Sequence, residues 1–193
     1  MTIHARLITL AIAGLCASGA VGCEKSGVQA ARQNTSDPTS KQILSMDDRD
    51  FLIGAEKAGI RQRTLAQQAL QKSNNNEVRE FARHVITDRS QALSELKRVM
   101  DAKQMKEQAA LAVEVQMTAE ARLQGLSNAA FDHEFVSLMT AEQQETLAGF
   151  RTAAETAADP EIRNYAERIL PSLQTDYDKA ADLEKRLAAK TPQ

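Results

Sequence analysis

The sequence predicts an all-α protein, a four-helix bundle with a long crossover between helices 2 and 3. Its composition is rich in Ala, Gln, Glu and Leu, and aromatic residues make up only 4% of the chain. Such a composition favours helices. Four long segments also carry apolar residues at steps of three and four, which places those residues on one face of a helix.

Residues 1–22 are typical of a secretory signal peptide. A short basic start precedes an apolar run, Leu7 to Leu15, which is followed by small residues. The apolar run is too short for a typical transmembrane helix. Two cleavage sites remain open: Ser18-x-Ala20 fits a general signal peptidase, whereas Ala20-Val21-Gly22-Cys23 resembles a bacterial lipobox.

Cys23 is the predicted site of lipid attachment. The only other cysteine, Cys16, would leave with the leader, so Cys23 would have no intramolecular partner. Acylation explains a lone thiol in an oxidising compartment, and the alternative is a free cysteine near the cut. We therefore expect a bacterial envelope protein in the periplasm, lipid-anchored to the outer membrane. Residues 23–44 are mostly polar and predict a flexible tether.

Capping and turn residues predict a helical bundle over residues 45–188 and a short tail at 189–193. Ser45 is a cap followed by acidic residues, and Asp159-Pro160 combines an acidic cap with a proline in the first turn. Pro171 falls inside the last helix, where we expect a kink. The predicted long helices span about 45–71, 77–103, 128–157 and 160–188.

The stretch at 104–128 forms the crossover, and its local structure is ambiguous. Apolar residues alternate from Leu111 to Met117, which indicates extended chain, while Thr118 to Leu126 fits a short capped helix. A segment of this length can cross the long axis of a bundle. Long crossovers of this kind occur in ferritin-like bundles.

Each predicted long helix has one polar residue near its middle that interrupts the apolar stripe. These residues are Gln62, Arg89, Glu142 and Asp176. In one interpretation they form a buried layer, with Arg89 between Glu142 and Asp176 and Gln62 completing the hydrogen bonds. In a second, Gln62, Glu142 and Asp176 bind a hard cation such as calcium, against the opposing charge of Arg89. In a third, the stripe assignment is shifted and some of these residues face solvent.

Other functional classes find little support in the sequence. A net charge of −2 and the lack of a basic run argue against nucleic-acid binding. The Glu-x-x-His pair of di-iron bundles does not occur. We expect no catalytic residue, no cofactor and no tightly bound metal; the remaining metal-ligand candidates are His84, His133, Glu142 and Asp176. A protein partner or a homo-oligomer stays open.

Several short motifs occur in order along the chain. They are Asn-Glu-Val-Arg-Glu-Phe-Ala at 76–82, Asp88 with Ala92 and Leu96, Phe131-Asp132, and Leu170-Pro171-x-Leu173 followed by Ala180 and Leu183. Together they resemble a bacterial envelope family with a ferritin-like fold, the domain of unknown function 4142. The resemblance covers about residues 48–188 and implies an exported helical protein without an established activity. Family patterns often place histidine where this chain has Arg89, Glu142 and Asp176.

The function predicted from these observations is that of an exported, non-catalytic envelope protein, a binding or structural module with a degenerate metal site. The alternative is a ferritin-like metal-binding or redox protein of periplasmic stress defence. A histidine cluster or a Glu-x-x-His pair would favour the alternative, and the sequence shows neither.

Overall fold

Five helices make up the described part of the chain. The structure, a computed structural model, describes residues 44–106 and 109–190, and no strand occurs among them. The all-α prediction is therefore confirmed for this part of the chain. The predicted leader, Cys23 and nearly all of the tether lie outside the described residues. The helices are α1 (Met46–Lys72), α2 (Asn76–Ala102), α3 (Ala109–Arg122), α4 (Asn128–Thr156) and α5 (Pro160–Lys190).

Polar caps fix the starts of three long helices close to the predicted positions. The Ser45 hydroxyl accepts a hydrogen bond from the Asp48 amide at 3.0 Å, and Asn75 Oδ1 accepts one from Glu77 at 3.0 Å. At the start of α5, Asp159 Oδ1 accepts from the Glu161 amide at 2.9 Å. Each bond satisfies an N–H group that has no partner inside its own helix.

The crossover between α2 and α4 contains a helix rather than extended chain. Thr118, expected as a cap, lies inside α3, where its hydroxyl donates to the Glu114 carbonyl at 2.9 Å. Val113 and Met117 are one turn apart and exposed, whereas Val115 on another face is buried. The extended-chain alternative for Leu111 to Met117 is therefore wrong, because alternation over so few residues does not exclude a helix.

Helix α5 passes through Pro171 without being divided. It continues to Lys190, two residues into the predicted tail. Proline removes one backbone N–H from the helix. One turn after the proline, the Thr175 hydroxyl donates a hydrogen bond to the Pro171 carbonyl at 2.9 Å. This side-chain bond joins the residues on either side of that turn.

The buried apolar side chains form two clusters along the long helices. Helix α1 contacts α2, α3 and α4, and α5 contacts α2 and α4. One cluster includes Leu65, Val85 and Phe135, and the other includes Leu52, Leu96 and Tyr165. Each long helix contributes to both clusters, from opposite sides of its midpoint.

The first turn of α1 is attached to the turn between α4 and α5 through Asp48. This side chain is 3% exposed. Its two carboxylate oxygens accept hydrogen bonds from the amides of Ala158 at 3.1 Å and Asp159 at 3.0 Å. Asp159 in turn contacts Lys103 Nζ at 2.7 Å, so the end of α2 meets the same turn.

We expect Asp48→Asn to lower the free energy of unfolding by about 0.5–1.5 kcal/mol, the usual net contribution of one hydrogen bond. The amide side chain keeps one acceptor and places an N–H₂ group against the second backbone donor. Urea unfolding of Asp48→Asn and of Asp47→Asn measures the difference. Asp47 is exposed in the same first turn, so equal losses in the two variants would contradict a role for the buried bonds.

Candidate functional site

Between the two apolar clusters, each long helix contributes a polar side chain that is almost fully buried: Gln62, Arg89, Gln143 and Asp176. Gln62, Gln143 and Asp176 are 0% exposed, and Arg89 is 3% exposed. Along each helix, the polar residue falls between the stretch that supplies one cluster and the stretch that supplies the other. Burying polar groups costs free energy unless they are hydrogen-bonded or paired. The partners of these four residues therefore decide how much of this cost is offset.

Arg89 of α2 and Asp176 of α5 form a buried ion pair, in which Arg89 Nη2 donates to Asp176 Oδ2. Burial raises the pKa of the Asp176 carboxyl above its ordinary value, and the Arg89 guanidinium opposes that rise. The neighbouring Asp88 carboxylate raises it further. Arg89 supplies the compensating charge because a guanidinium stays protonated in proteins.

Glu142 lies away from this ion pair, which differs from the expected arrangement. Its carboxylate is half-buried and accepts a hydrogen bond from Arg61 Nη1 at 2.9 Å. The inward position on α4 belongs to Gln143 instead. Successive helical residues point about 100° apart, so an error of one position in the stripe changes which side chain faces the core.

Gln62 bonds to α4 without reaching Arg89 or Asp176. Its Nε2 donates to the Thr146 hydroxyl at 2.9 Å and approaches the Glu142 carbonyl at 3.4 Å. The Thr146 hydroxyl donates to the same carbonyl at 2.7 Å. Glu142 therefore takes part through its backbone oxygen, and Gln62 joins α1 to α4.

A groove of about 410 Å³ lies between α1 and α4 beside these bonds. Its walls include the Arg61–Glu142 pair and the small residues Ala55, Ala58 and Gly149. Such a groove is of the size that small ligands fill. Arg61 and Glu142 pair with each other and Thr146 bonds to Gln62, so these groups do not point to a particular ligand.

A second cluster of polar groups adjoins the ion pair at the boundary of α2 and α5. His84 Nε2 lies 2.9 Å from Asp176 Oδ1 and 3.5 Å from Asp88 Oδ2. The Ser172 hydroxyl donates to Asp88 Oδ2 at 3.1 Å, and Lys179 Nζ lies 2.8 Å from His84 Nε2. His84 and Asp88 retain 30% and 23% of their side-chain exposure, so solvent reaches the cluster.

The three groups His84, Asp88 and Asp176 can meet a single ion, because their ligand atoms all lie within 4.8 Å of one another. Of the four metal-ligand candidates from the sequence, two, His84 and Asp176, belong to this group. Glu142 pairs with Arg61, and His133 is half-buried near the start of α4 and lies outside the group.

Sequence reasoning missed Asp88 and Gln143. Asp88 follows His84 by four residues on a helix, a spacing that puts the two side chains one above the other. A search for that spacing would have found this half of the cluster. Gln143 gave no comparable signal, since Gln144 follows it directly and only the exact register of α4 distinguishes the two.

The fold and this interior define an all-helical domain with a buried Arg–Asp pair and an adjoining His–Asp cluster. No helix among the described residues is long and apolar enough to cross a membrane. Comparisons with curated proteins and with solved structures gave no match. A family model described as "Domain of unknown function (DUF4142)" matches residues 33–183. The chain belongs to this family.

Proposed function

We propose that this chain is an exported, non-catalytic module of the bacterial cell envelope, held at the outer membrane by a lipid on Cys23. The observation that carries the proposal is the N-terminal pattern: a basic start, the apolar run Leu7 to Leu15, and small residues that end at Cys23. The polar segment before Leu44 would separate the anchor from the helical domain.

The packing of the long helices supports a ferritin-like four-helix bundle as the architecture of this module. Helix α1 contacts α2 and α4, and α5 contacts the same two helices. Short turns join α1 to α2 and α4 to α5, while the connection from α2 to α4 includes α3. Two helical hairpins joined by one long crossover are the arrangement of ferritin-like folds.

A binding or structural role fits the interior better than catalysis does. The central polar residues mainly face one another or apolar clusters: Arg89 pairs with Asp176, and Gln62 bonds to Thr146. The interior polar groups thus fit a role in fixing how the helices align.

Fractionation of the bacterial host tests the anchor. We expect the wild-type protein in the detergent phase and Cys23→Ser in the aqueous phase, because an acyl chain contributes about 0.8 kcal/mol per buried CH₂ group. Cys16→Ser is the matched control and should remain in the detergent phase, since Cys16 would be removed with the leader. A wild-type mature protein that begins at Val21 with an unmodified mass would contradict the proposal.

A further inference from the structure

We propose that His84, Asp88 and Asp176 form an exchangeable site for a divalent transition-metal ion, and that the ammonium group of Lys179 competes for it. The site lies at the boundary of α2 and α5. It goes beyond the envelope module and does not depend on whether Cys23 carries a lipid. It combines a buried carboxylate oxygen that lacks a hydrogen-bond donor, a suitable spacing of ligand atoms, and neighbouring residues that support the ligands.

The hydrogen bonds around His84 Nε2 are incompatible with one another. Lys179 Nζ, 2.8 Å away, can only donate, so it requires the lone pair of Nε2. Asp176 Oδ1, 2.9 Å away on the other side, requires a proton on the same nitrogen. When Nε2 accepts a hydrogen bond from Lys179, the fully buried Oδ1 has no hydrogen-bond donor.

A cation resolves this conflict because it binds both atoms through their lone pairs. One imidazole nitrogen and two carboxylate oxygens are ligands that zinc and similar ions accept. Bonds of about 2.0–2.2 Å at tetrahedral angles separate two ligand atoms by roughly 3.4 Å. The observed separations from Nε2, 2.9 Å to Asp176 and 3.5 Å to Asp88, bracket that value.

Neighbouring residues hold two of the three ligands in place. Arg89 donates to the other oxygen of Asp176, and Ser172 donates to the same oxygen of Asp88 that faces His84. Hydrogen bonds of this kind orient metal ligands and affect metal affinity. A metal ion could take its remaining ligand from water, because His84 and Asp88 are partly exposed.

Lys179 is the group that a cation would displace. It is exposed, so its ammonium can move into solvent at little cost. Arg89 and Lys179 together balance the charges of Asp88 and Asp176. Replacing the ammonium by a divalent ion leaves one excess positive charge, which predicts modest affinity and ready exchange rather than a permanently held metal.

Zinc titration by isothermal calorimetry tests the site. The protein is the untagged full chain with Cys16→Ser and Cys23→Ser, so that thiolates do not bind the ion. We expect one equivalent of Zn²⁺ to bind. His84→Ala and Asp88→Ala should each weaken binding by at least about 10-fold, the lower end of what loss of an outer-shell partner costs. His133→Ala is the control and should bind as the parent does.

Lys179→Met gives the more specific result, because it should tighten zinc binding. One unit charge at about 4 Å changes an equilibrium roughly fivefold even in bulk water, so we expect at least about a fivefold decrease in Kd. The matched control is Lys185→Met, which removes an exposed lysine from the same helix and should leave Kd unchanged.

Either of two results would overturn the proposal. One is the absence of zinc binding up to millimolar concentrations, and the other is equal affinity in the parent, His84→Ala and Asp88→Ala. If the alanine variants fail to fold, Lys179→Met decides alone. An unchanged Kd in Lys179→Met would then reject the site, because Lys179 is exposed and its replacement leaves the buried clusters unchanged.

Discussion

Arg89→Met should lower the free energy of unfolding by about 3–5 kcal/mol at pH 7, because it leaves the buried Asp176 carboxylate without its partner. The side chain of Arg89 is 4% exposed and that of Asp176 is 0% exposed. The variant therefore removes the guanidinium that balances a carboxylate shielded from water. Urea unfolding in the presence of EDTA measures the loss, since a bound cation would otherwise substitute for Arg89.

The pH dependence of this variant has a definite sign. Burial already raises the pKa of Asp176, and removal of Arg89 removes a charge that lowers it. A carboxyl group with a higher pKa in the folded state binds more protons when folded. The stability of Arg89→Met should therefore increase as the pH falls from 7 toward the unfolded-state value of about 4.

Two combined variants test whether the loss of stability in Arg89→Met comes from the unpaired Asp176 carboxylate. Arg89→Met combined with Asp176→Asn should cost less than Arg89→Met alone, because no buried charge is then unpaired. Adding His84→Gln removes the imidazole that lies 2.9 Å from Asp176 Oδ1, so that the effect of Arg89 is measured without this neighbour. Arg83→Met, an exposed change on the same helix, is the matched control and should cost less than about 0.5 kcal/mol. An equally small loss in Arg89→Met would refute the buried pair.

Gln143→Met should raise the free energy of unfolding by about 1–3 kcal/mol, because it removes a buried polar group that lacks a partner. Leaving such a group buried costs about that much. Gln143 is 0% exposed, and neither its Oε1 nor its Nε2 has a hydrogen-bond partner among the described residues. Methionine has a similar length and is flexible enough to fill an irregular space in the core.

The adjacent residue gives the control for this gain. Gln144 is exposed on the same turn of α4, so Gln144→Met should change stability by no more than about 0.5 kcal/mol. Chemical denaturation of both variants at pH 7 makes the comparison. A destabilised Gln143→Met would mean that the amide is satisfied in solution, and the account of its burial would have to be withdrawn.

The long helices were predictable because local signals mark their ends. Ser45 is a cap and Asp159-Pro160 is a strong start, and the predicted and observed bounds agree within a few residues. The crossover carried no such marks. Its helix, α3, was predicted only in part, because the apolar residues from Leu111 to Met117 fit two periods equally well.

The candidate site was less predictable because it depends on register and on contacts between distant helices. The observed inward line of α4 runs through Phe135, Met139 and Gln143 at steps of four. An alternative line at steps of four runs through Leu138 and Glu142, and it looked equally plausible because Leu138 is apolar. Leu138 is partly buried in the structure. The approach of His84 to Asp176 joins residues more than ninety positions apart, and no spacing within one helix encodes it.

The attachment of Asp48 to the α4–α5 turn also has a mechanical consequence. Tension applied to the chain before Leu44 would enter the domain at the first turn of α1. There the Asp48 carboxylate accepts hydrogen bonds from the amides of Ala158 and Asp159, which lie about 110 positions away in the sequence. Separating the start of α1 from this turn would therefore require both bonds to break, in addition to the bonds within the first turn.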